Sequence, residues 1–284
     1  MSTVPALFRR LIDDAAMFPP GNLPLTEAVA AHRVHLRSAY ADLVGSFVCT
    51  DEDLMKVAAE AGRSGPTPLL VSVVITGGAG GIEPAIKFSD KSAQLHVVSI
   101  EVRLRTEVDL SRNALRVVRA CDGCLDEENA FVEIGLEGAW ERALDVVADA
   151  GYAAKLRTGG LDASLFPTTD EVAAFITACL DREVAFKCTG GLHHAVRHTD
   201  AETGFEHHGF INLLVGTRAS LDGATQDEVA AILASRDGAA LAARARELSE
   251  DQAAGVRRWF TSFGSCSIDE PVEDLTALGL LERE

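Results

Sequence analysis

The chain has 284 residues, of which 47% are hydrophobic, and it carries a formal net charge of −17 at pH 7. That charge argues against nucleic acid and anionic membrane surfaces as partners, because both bind basic protein faces. No run of about 18 apolar residues is present and the N-terminus lacks a signal-peptide layout, so we expect a cytoplasmic protein with no membrane span.

Short apolar or β-branched runs alternate with longer helical patterns along almost the whole sequence. We predict strands in the eight runs 11–18, 43–50, 69–76, 95–104, 130–136, 152–158, 183–189 and 259–266. Helical patterns lie between them, and one begins with a capping-box pattern at Thr168 and Glu171. Eight such units, in a chain close to the roughly 250 residues typical of the fold, predict one α/β domain over 1–284, a (β/α)8 TIM barrel. The rival is a doubly wound open sheet, but no G-x-G-x-x-G follows the early strands.

Two segments depart from this rhythm. The glycine-rich run 76–84 follows a strand, and because Pro84 ends it we predict a flexible loop rather than a helix. Residues 205–258 show helical patterns throughout, including the apolar run 210–216. We therefore predict an enlarged helical insertion between the last two strands.

Three of the predicted strands carry charged residues on one face. In the runs 97–104, 152–158 and 183–189, one face is bulky and apolar, and the other holds a small residue followed by charged ones. In a barrel the apolar face meets the outer helices, and the other face turns inward near the C-terminal ends, where active sites are built. The residues predicted to line this pocket are Glu101, Arg103, Lys155, Arg157 and Lys187. Four positive charges against one negative favour a carboxylate or phosphate ligand, although Glu133 has the same parity and offsets part of the excess.

Two inward-facing lysines suggest amine chemistry. A lysine attacks a carbonyl group only when it is neutral, and burial or a neighbouring ammonium group lowers a lysine pKa toward that state. One lysine would then be the nucleophile and the other its activator, while Glu101 moves protons between intermediates. The alternative is an ion-pair network that merely fills the barrel.

These residues also resemble a known family. "KLRTGG" at 155–160, "KCTGG" at 187–191 and "SFGSCS" at 262–267 are similar to stretches of deoxyribose-phosphate aldolase, a class I aldolase of barrel fold. The resemblance covers about 130–200 and 260–267. It implies a lyase of aldolase type in which Lys155 forms the Schiff base, Lys187 perturbs its pKa, and Glu101 replaces the family's catalytic aspartate.

The predicted substrate-binding residues lie around these motifs. Arg157 stands where the family has a small hydroxyl residue, so we expect it to narrow the pocket or to clamp a carboxylate, and the substrate need not be the family's sugar phosphate. Thr158 is a further candidate because it is close to Lys155 in sequence. The other candidates lie at or after the ends of the last two strands, where barrels often bind phosphate, and they are Gly190, Gly191, Gly264 and Ser265. The stretch 268–274 contains several acidic residues at the start of the next predicted helix. Negative side chains there disfavour binding of a phosphate at that helix N-terminus.

Five of the eight histidines fall between residues 193 and 208. We assign His194 to substrate contact, but two other interpretations stay open. One is an acid–base histidine, and the other is a divalent metal held by His194 and His198 on one helical face with His207 or His208 as the third ligand. Otherwise we predict no cofactor.

The six cysteines give little functional signal. Cys121 and Cys124 form a single C-x-x-C, which we interpret as reduced and structural, and Cys266 is interpreted as a small core residue. Three hypotheses remain: an aldolase-type lyase, a metal-dependent hydrolase or isomerase, and a non-catalytic anion-binding barrel. The expected partner is a small anionic carbonyl compound, and a homo-oligomer is left open.

Overall fold

Parallel strands form a closed barrel in the computed structural model, which describes residues 4–106 and 109–282. The strands are β1 (Ile12–Asp14), β2 (Val44–Thr50), β3 (Leu69–Ile75), β4 (Leu95–Arg103), β5 (Asn129–Glu133), β6 (Ala153–Arg157), β7 (Phe186–Thr189), β8 (His198–Thr199), β9 (Glu206–His207) and β10 (Phe260–Ser265). All except β8 and β9 belong to the barrel, whose order is β1–β10–β7–β6–β5–β4–β3–β2, with β1 pairing β2 to close it. The predicted TIM barrel is therefore confirmed.

Helices cover the outside of the barrel. They are α1 (Leu25–His35), α2 (Leu54–Ser64), α3 (Ala79–Ser89), α4 (Leu110–Asp122), α5 (Trp140–Asp149), α6 (Thr169–Asp181), α7 (Phe210–Leu221), α8 (Gln226–Ala234), α9 (Gly238–Arg246), α10 (Glu250–Trp259) and α11 (Asp269–Ala277). The apolar core lies between these helices and the outward faces of the strands. Phe186, for example, stacks on Phe260 with ring centroids 5.3 Å apart and meets Phe175 of α6 edge-on. The predicted capping box of Thr168 and Glu171 opens α6.

The prediction of a loop over 76–84 is wrong, because α3 begins at Ala79 and includes Pro84. A proline in a helix interior removes one backbone hydrogen bond and crowds the preceding turn. Here Ile82, Ala85 and Ile86 are buried against the barrel, and that packing outweighs the local cost.

The segment between the last two barrel strands is helical from Phe210 onward, as predicted, and the apolar run begins α7. It differs before that point. Glu206–His207 pairs antiparallel with His198–Thr199 in a small hairpin, so the helical part starts later than residue 205. Within the described ranges, no helix is long and apolar enough to cross a lipid bilayer.

Candidate active site

The barrel register brings the two lysines to the same level. Lys155 and Lys187 are Cα partners on the neighbouring strands β6 and β7, and Glu133 of β5 is the partner of Lys155 on its other side. Arg103 of β4 pairs with Glu133 in the same way. Because partners in parallel strands point to the same face, these side chains all turn into the barrel interior.

Lys187 lies deepest, with only 1% of its surface exposed. Its Nζ donates to Asp13 Oδ2 and to Glu101 Oε1, each at 2.6 Å. Its ammonium group also faces the ring of Phe131, 5.2 Å from the centroid. Burial lowers the pKa of Lys187, but the carboxylates of Asp13 and Glu101 outweigh it and raise that pKa above its ordinary value. Lys187 is therefore a paired, permanent cation.

Lys155 is held between two other oxygens. Its Nζ lies 2.6 Å from Glu101 Oε2 and 2.9 Å from Glu133 Oε2. Glu101 therefore bridges the lysines, one oxygen to each. Burial raises the pKa of Glu101, yet the two ammonium groups hold it well below its usual range. Burial also raises the pKa of Glu133, but the nearby cations of Lys155 and Arg157 outweigh it, so the pKa of Glu133 is lowered.

Two arginines complete the upper layer at the rim. Arg157 Nε lies 3.1 Å from Glu133 Oε1, and Arg103 Nε lies 3.5 Å from the same oxygen. The Arg103 side chain is 61% exposed and that of Arg157 is 37% exposed. Glu133 thus links the buried lysine to cations that solvent can reach.

The predicted excess of positive charge is wrong for the interior. Three carboxylates, from Asp13, Glu101 and Glu133, are buried there with only two lysines. Sequence reasoning missed Asp13, which lies beside Asp14 in the first predicted strand, 11–18. Alternation in β1 turns Asp13 inward, whereas Asp14 contacts His32 of α1 at 2.9 Å.

Serine hydroxyls of neighbouring strands donate hydrogen bonds to the buried carboxylates of Glu101 and Asp13. Ser72 donates to Glu101 Oε1 at 2.9 Å and accepts from Ser99 at 2.8 Å. Ser262 donates to Asp13 Oδ2 at 2.6 Å, and the Ser46 hydroxyl and amide donate to Asp13 Oδ1. Each of these two buried carboxylates therefore has several hydrogen-bond donors in contact with it.

A cavity of about 880 Å³ opens beside Glu133, above the ends of β4, β5 and β6. Arg103 and Arg157 line its inner side, and leucine, isoleucine and phenylalanine side chains form part of its walls. Lys155 is one hydrogen bond away from it, through Glu133. A small molecule in this cavity would meet an apolar wall together with four arginines and four acidic side chains, which are Arg103, Arg112, Arg142, Arg157, Asp109, Glu133, Glu137 and Glu171.

The predicted glycine and hydroxyl ligands lie in packed backbone. Thr158 is fully buried and donates to the Gly190 carbonyl at 2.7 Å. A Cβ added at Gly190 would stand 2.4 Å from the Gly159 carbonyl oxygen, and one at Gly191 would crowd Phe166. The twin glycines therefore allow two loops to cross closely, which explains them without a ligand.

Gly264 and Ser265 lie at the end of β10. Gly264 faces Thr189, whose Cγ2 would be 3.3 Å from an added Cβ. Ser265 is buried, and its hydroxyl accepts from the amide of Ser267 at 3.3 Å. Within residues 4–106 and 109–282, the hydrogen-bond and ion-pair partners of the two lysines are Asp13, Glu101 and Glu133, and neither Gly264 nor Ser265 is among them.

The histidine segment is not helical, so the prediction that His194 and His198 share a helical face is wrong. Its rings are close, with centroids of His194 and His198 4.7 Å apart, but His194 Nδ1 bonds Asp274 at 3.2 Å. His208 is buried elsewhere: its Nε2 donates to the Pro167 carbonyl at 2.7 Å, and burial lowers its pKa to about 4. Across residues 4–106 and 109–282, no three histidine, cysteine or acidic side chains are arranged to hold a metal ion.

Comparisons with known proteins place this geometry in a broader setting. No protein-family model and no curated protein sequence matches the chain. Among solved structures, it is similar to the tetrameric deoxyribose-phosphate aldolase from Aeropyrum pernix, with 13% identity and a TM-score of 0.52 over 96% of this chain and 92% of that one. A dihydropteroate synthase from Xanthomonas albilineans matches with 14% identity and a TM-score of 0.33 over 96% and 93% of the two chains. A chitobiase from Flavobacterium johnsoniae matches with 10% identity and a TM-score of 0.32 over 95% and 50%. Only the first likeness is informative, and it confirms the resemblance to the aldolase at the level of the fold.

Proposed function

We propose that the protein is a Schiff-base lyase of aldolase type that acts on a small anionic carbonyl compound, with Lys155 as the nucleophile. The observation that carries the proposal is the position of Lys155 Nζ, 2.6 Å from Glu101 and 2.9 Å from Glu133, where Glu133 lines the cavity. A buried lysine between two carboxylates has proton acceptors within reach, which a nucleophilic amine requires.

The reaction follows from these contacts. Lys155 passes a proton to a neighbouring carboxylate, and its lone pair forms a C–N bond to the carbonyl carbon of the substrate. The resulting carbinolamine loses its oxygen as water and becomes an iminium ion. A carboxylate takes the proton from the hydroxyl group on the β carbon of the substrate, and the bond between the α and β carbons breaks. Its electron pair moves toward the iminium to form an enamine, and the β carbon leaves as an aldehyde. Protonation of the enamine carbon and hydrolysis return the amine.

The structure changes the role that we propose for Lys187. A cation whose charge is balanced by Asp13 and Glu101 exerts little net repulsion on its neighbour. Instead, Lys187 holds Glu101 in place and keeps it ionised, so that its second oxygen stays directed at Lys155. Lys187 is then a positioning residue for the proton acceptor.

Two features support the substrate class. Arg103 and Arg157 face the cavity and offer a carboxylate or phosphate two partly exposed guanidinium groups. The other end of the mouth, where α11 begins, is already filled by its own acids, since Glu270 bonds His193 and Asp274 bonds His194. We therefore propose that the substrate anion binds over β4 to β6. The tetrameric state of the Aeropyrum aldolase supports keeping a homo-oligomer as a further proposal.

One observation favours a second candidate, a non-catalytic barrel. Both buried lysines have carboxylate partners at 2.9 Å or less, as a purely structural network would require. Trapping separates the two candidates.

The test is borohydride reduction in the presence of small aldehydes and keto acids, followed by peptide mass mapping. Imine formation should add one reduced adduct on the peptide that contains Lys155. The matched variants are Lys155→Met and Lys87→Met, because Lys87 is an exposed lysine on α3 and only the first change removes the proposed nucleophile. Retention of the adduct in Lys155→Met, or its absence from the native protein with every carbonyl compound, would reject the lyase and favour the structural network.

A further inference from the structure

A second cluster of reactive side chains lies at the barrel mouth, away from the lysines. Cys266 is the first residue after β10, and His193 follows the neighbouring strand β7, so barrel closure brings the two together. Cys266 Sγ lies 3.5 Å from His193 Nε2 and 3.9 Å from its Nδ1. On the other side, Nδ1 lies 2.7 Å from Glu270 Oε2 in the first turn of α11.

Cys266 is half-buried, so its expected place in the core is wrong. The charged and titratable groups that face His193 are the Cys266 thiol and the Glu270 carboxylate. Burial lowers the pKa of His193, but contact with these two groups outweighs it and raises that pKa to about 9. The raised pKa makes the imidazole a strong enough base to take the thiol proton, and the cation that results beside the sulfur atom stabilises the thiolate over the thiol.

We propose that Cys266 is a nucleophilic thiol that forms covalent adducts with soft carbon electrophiles, with His193 as its proton acceptor and Glu270 as the anchor of the imidazolium. The thiol proton passes to His193, whose positive charge Glu270 balances. The thiolate then forms a sulfur–carbon bond, and with an alkyl halide the halide ion leaves with the electron pair of its bond to carbon. No oxidant or reductant takes part.

The chain contains its own control for this reaction. Cys124 is also half-buried, whereas Cys49, Cys121, Cys179 and Cys188 are buried. Cys124 Sγ lies 3.1 Å from the Ala120 carbonyl oxygen, and the charged side chains that act on it are Glu83, Glu128, Asp90 and Lys87. Burial and then the nearby acids raise the pKa of the Cys124 thiol. Two cysteines of similar exposure therefore differ in the charge beside the sulfur.

The experiment is alkylation of the native full-length protein by limiting iodoacetamide, with the rate at each cysteine followed by peptide mass spectrometry. At neutral pH, Cys266 should react about tenfold faster than Cys124 or more, because only a thiolate attacks. Its rate should change little between about pH 6 and about pH 8, whereas an unpaired thiol gains about tenfold per pH unit below its pKa. This test does not depend on the lyase activity.

Two variants identify the partners. His193→Gln should bring the Cys266 rate down to that of Cys124, and Glu270→Gln should leave an intermediate rate that depends more steeply on pH. An unchanged Cys124 rate in each variant shows that the fold is kept. Equal rates at Cys266 and Cys124 in the native protein, or an unaffected Cys266 rate in His193→Gln, would overturn the proposal.

Discussion

Replacing the two buried lysines by methionine should destabilise the protein to very different extents. Without Lys187, Asp13 keeps only serine hydroxyl and amide donors within hydrogen-bonding distance among the described residues. Without Lys155, in contrast, Glu101 still contacts Lys187 and Glu133 still contacts Arg157. Only the first change leaves a buried carboxylate without a cation in contact.

The magnitudes follow from this difference. Removing one partner of a buried ion pair lowers the free energy of unfolding by about 3–5 kcal/mol, because the other charge remains buried without a partner. We expect that loss in the free energy of unfolding for Lys187→Met. For Lys155→Met, where each carboxylate keeps a cation, we expect about 1–3 kcal/mol, the cost of lost hydrogen bonds in a buried site.

Urea unfolding at neutral pH, with a slope common to the native protein and both variants, measures the two losses. Because the free energy of unfolding of a domain is typically only about 5–15 kcal/mol, Lys187→Met alone removes a large part of it. The double variant Asp13→Asn with Lys187→Met therefore provides a second urea measurement. Removing the orphaned charge should make the double variant more stable than Lys187→Met. Equal losses in the two single variants, or a less stable double variant, would refute this account of the network.

Three further expectations concern other parts of the barrel. The Thr189 and Thr177 hydroxyls are buried with no hydrogen-bond partner among the described residues, so a valine at either position should keep the urea midpoint. Thr189 is the Cα partner of Arg157, so its hydroxyl lies beside the proposed site, and only Thr189→Val should lower imine trapping. An equal effect of Thr177→Val would contradict a role for the Thr189 hydroxyl in that site. The pKa of His193 is raised from 6.5 to about 9, so its stabilisation is complete below pH 6.5 and is lost as pH rises toward 9. Unfolding midpoints across that range should fall less in His193→Gln, and parallel curves would exclude this linkage. Finally, Gly190→Ala, with φ of 84° and the carbonyl clash, should cost about 2 kcal/mol or more, against about 1 kcal/mol for Gly204→Ala, which has φ of 72° but open space. Chemical denaturation compares them, and equal costs would mean that the clash is relieved.

The part of this site that the sequence predicts is the part set by covalent geometry. Side chains alternate along a strand whatever the surroundings, so one small-then-charged pattern in three strands was enough to place Glu101, Lys155 and Lys187 on inward faces. Parallel neighbours then bring Lys155 and Lys187 level with each other, as their Cα pairing shows.

The partners of those lysines could not be predicted in the same way. Asp13 contacts Lys187, which is 174 positions away in the sequence. The sequence around Asp13 does not distinguish it from Asp14, which contacts His32 on the other face of the strand. The three-residue length of β1 leaves too little pattern to show which aspartate points inward. Helix α3 was missed for a similar reason. The rule that proline ends a helix considers only local sequence, whereas the helix is stabilised by the burial of Ile82 and Ile86, which depends on the tertiary structure.

Glu133 connects the exposed and buried halves of the proposed site. Its Oε1 contacts Arg157 and Arg103, and its Oε2 contacts Lys155. Under the proposed function, a substrate anion that binds the arginines competes with Glu133 for them. Weaker contact with those cations raises the affinity of the carboxylate for a proton, and the proton closest to it is on Lys155. The proposed function therefore connects substrate recognition at the rim and the amine beneath it through the two oxygens of one carboxylate, Glu133.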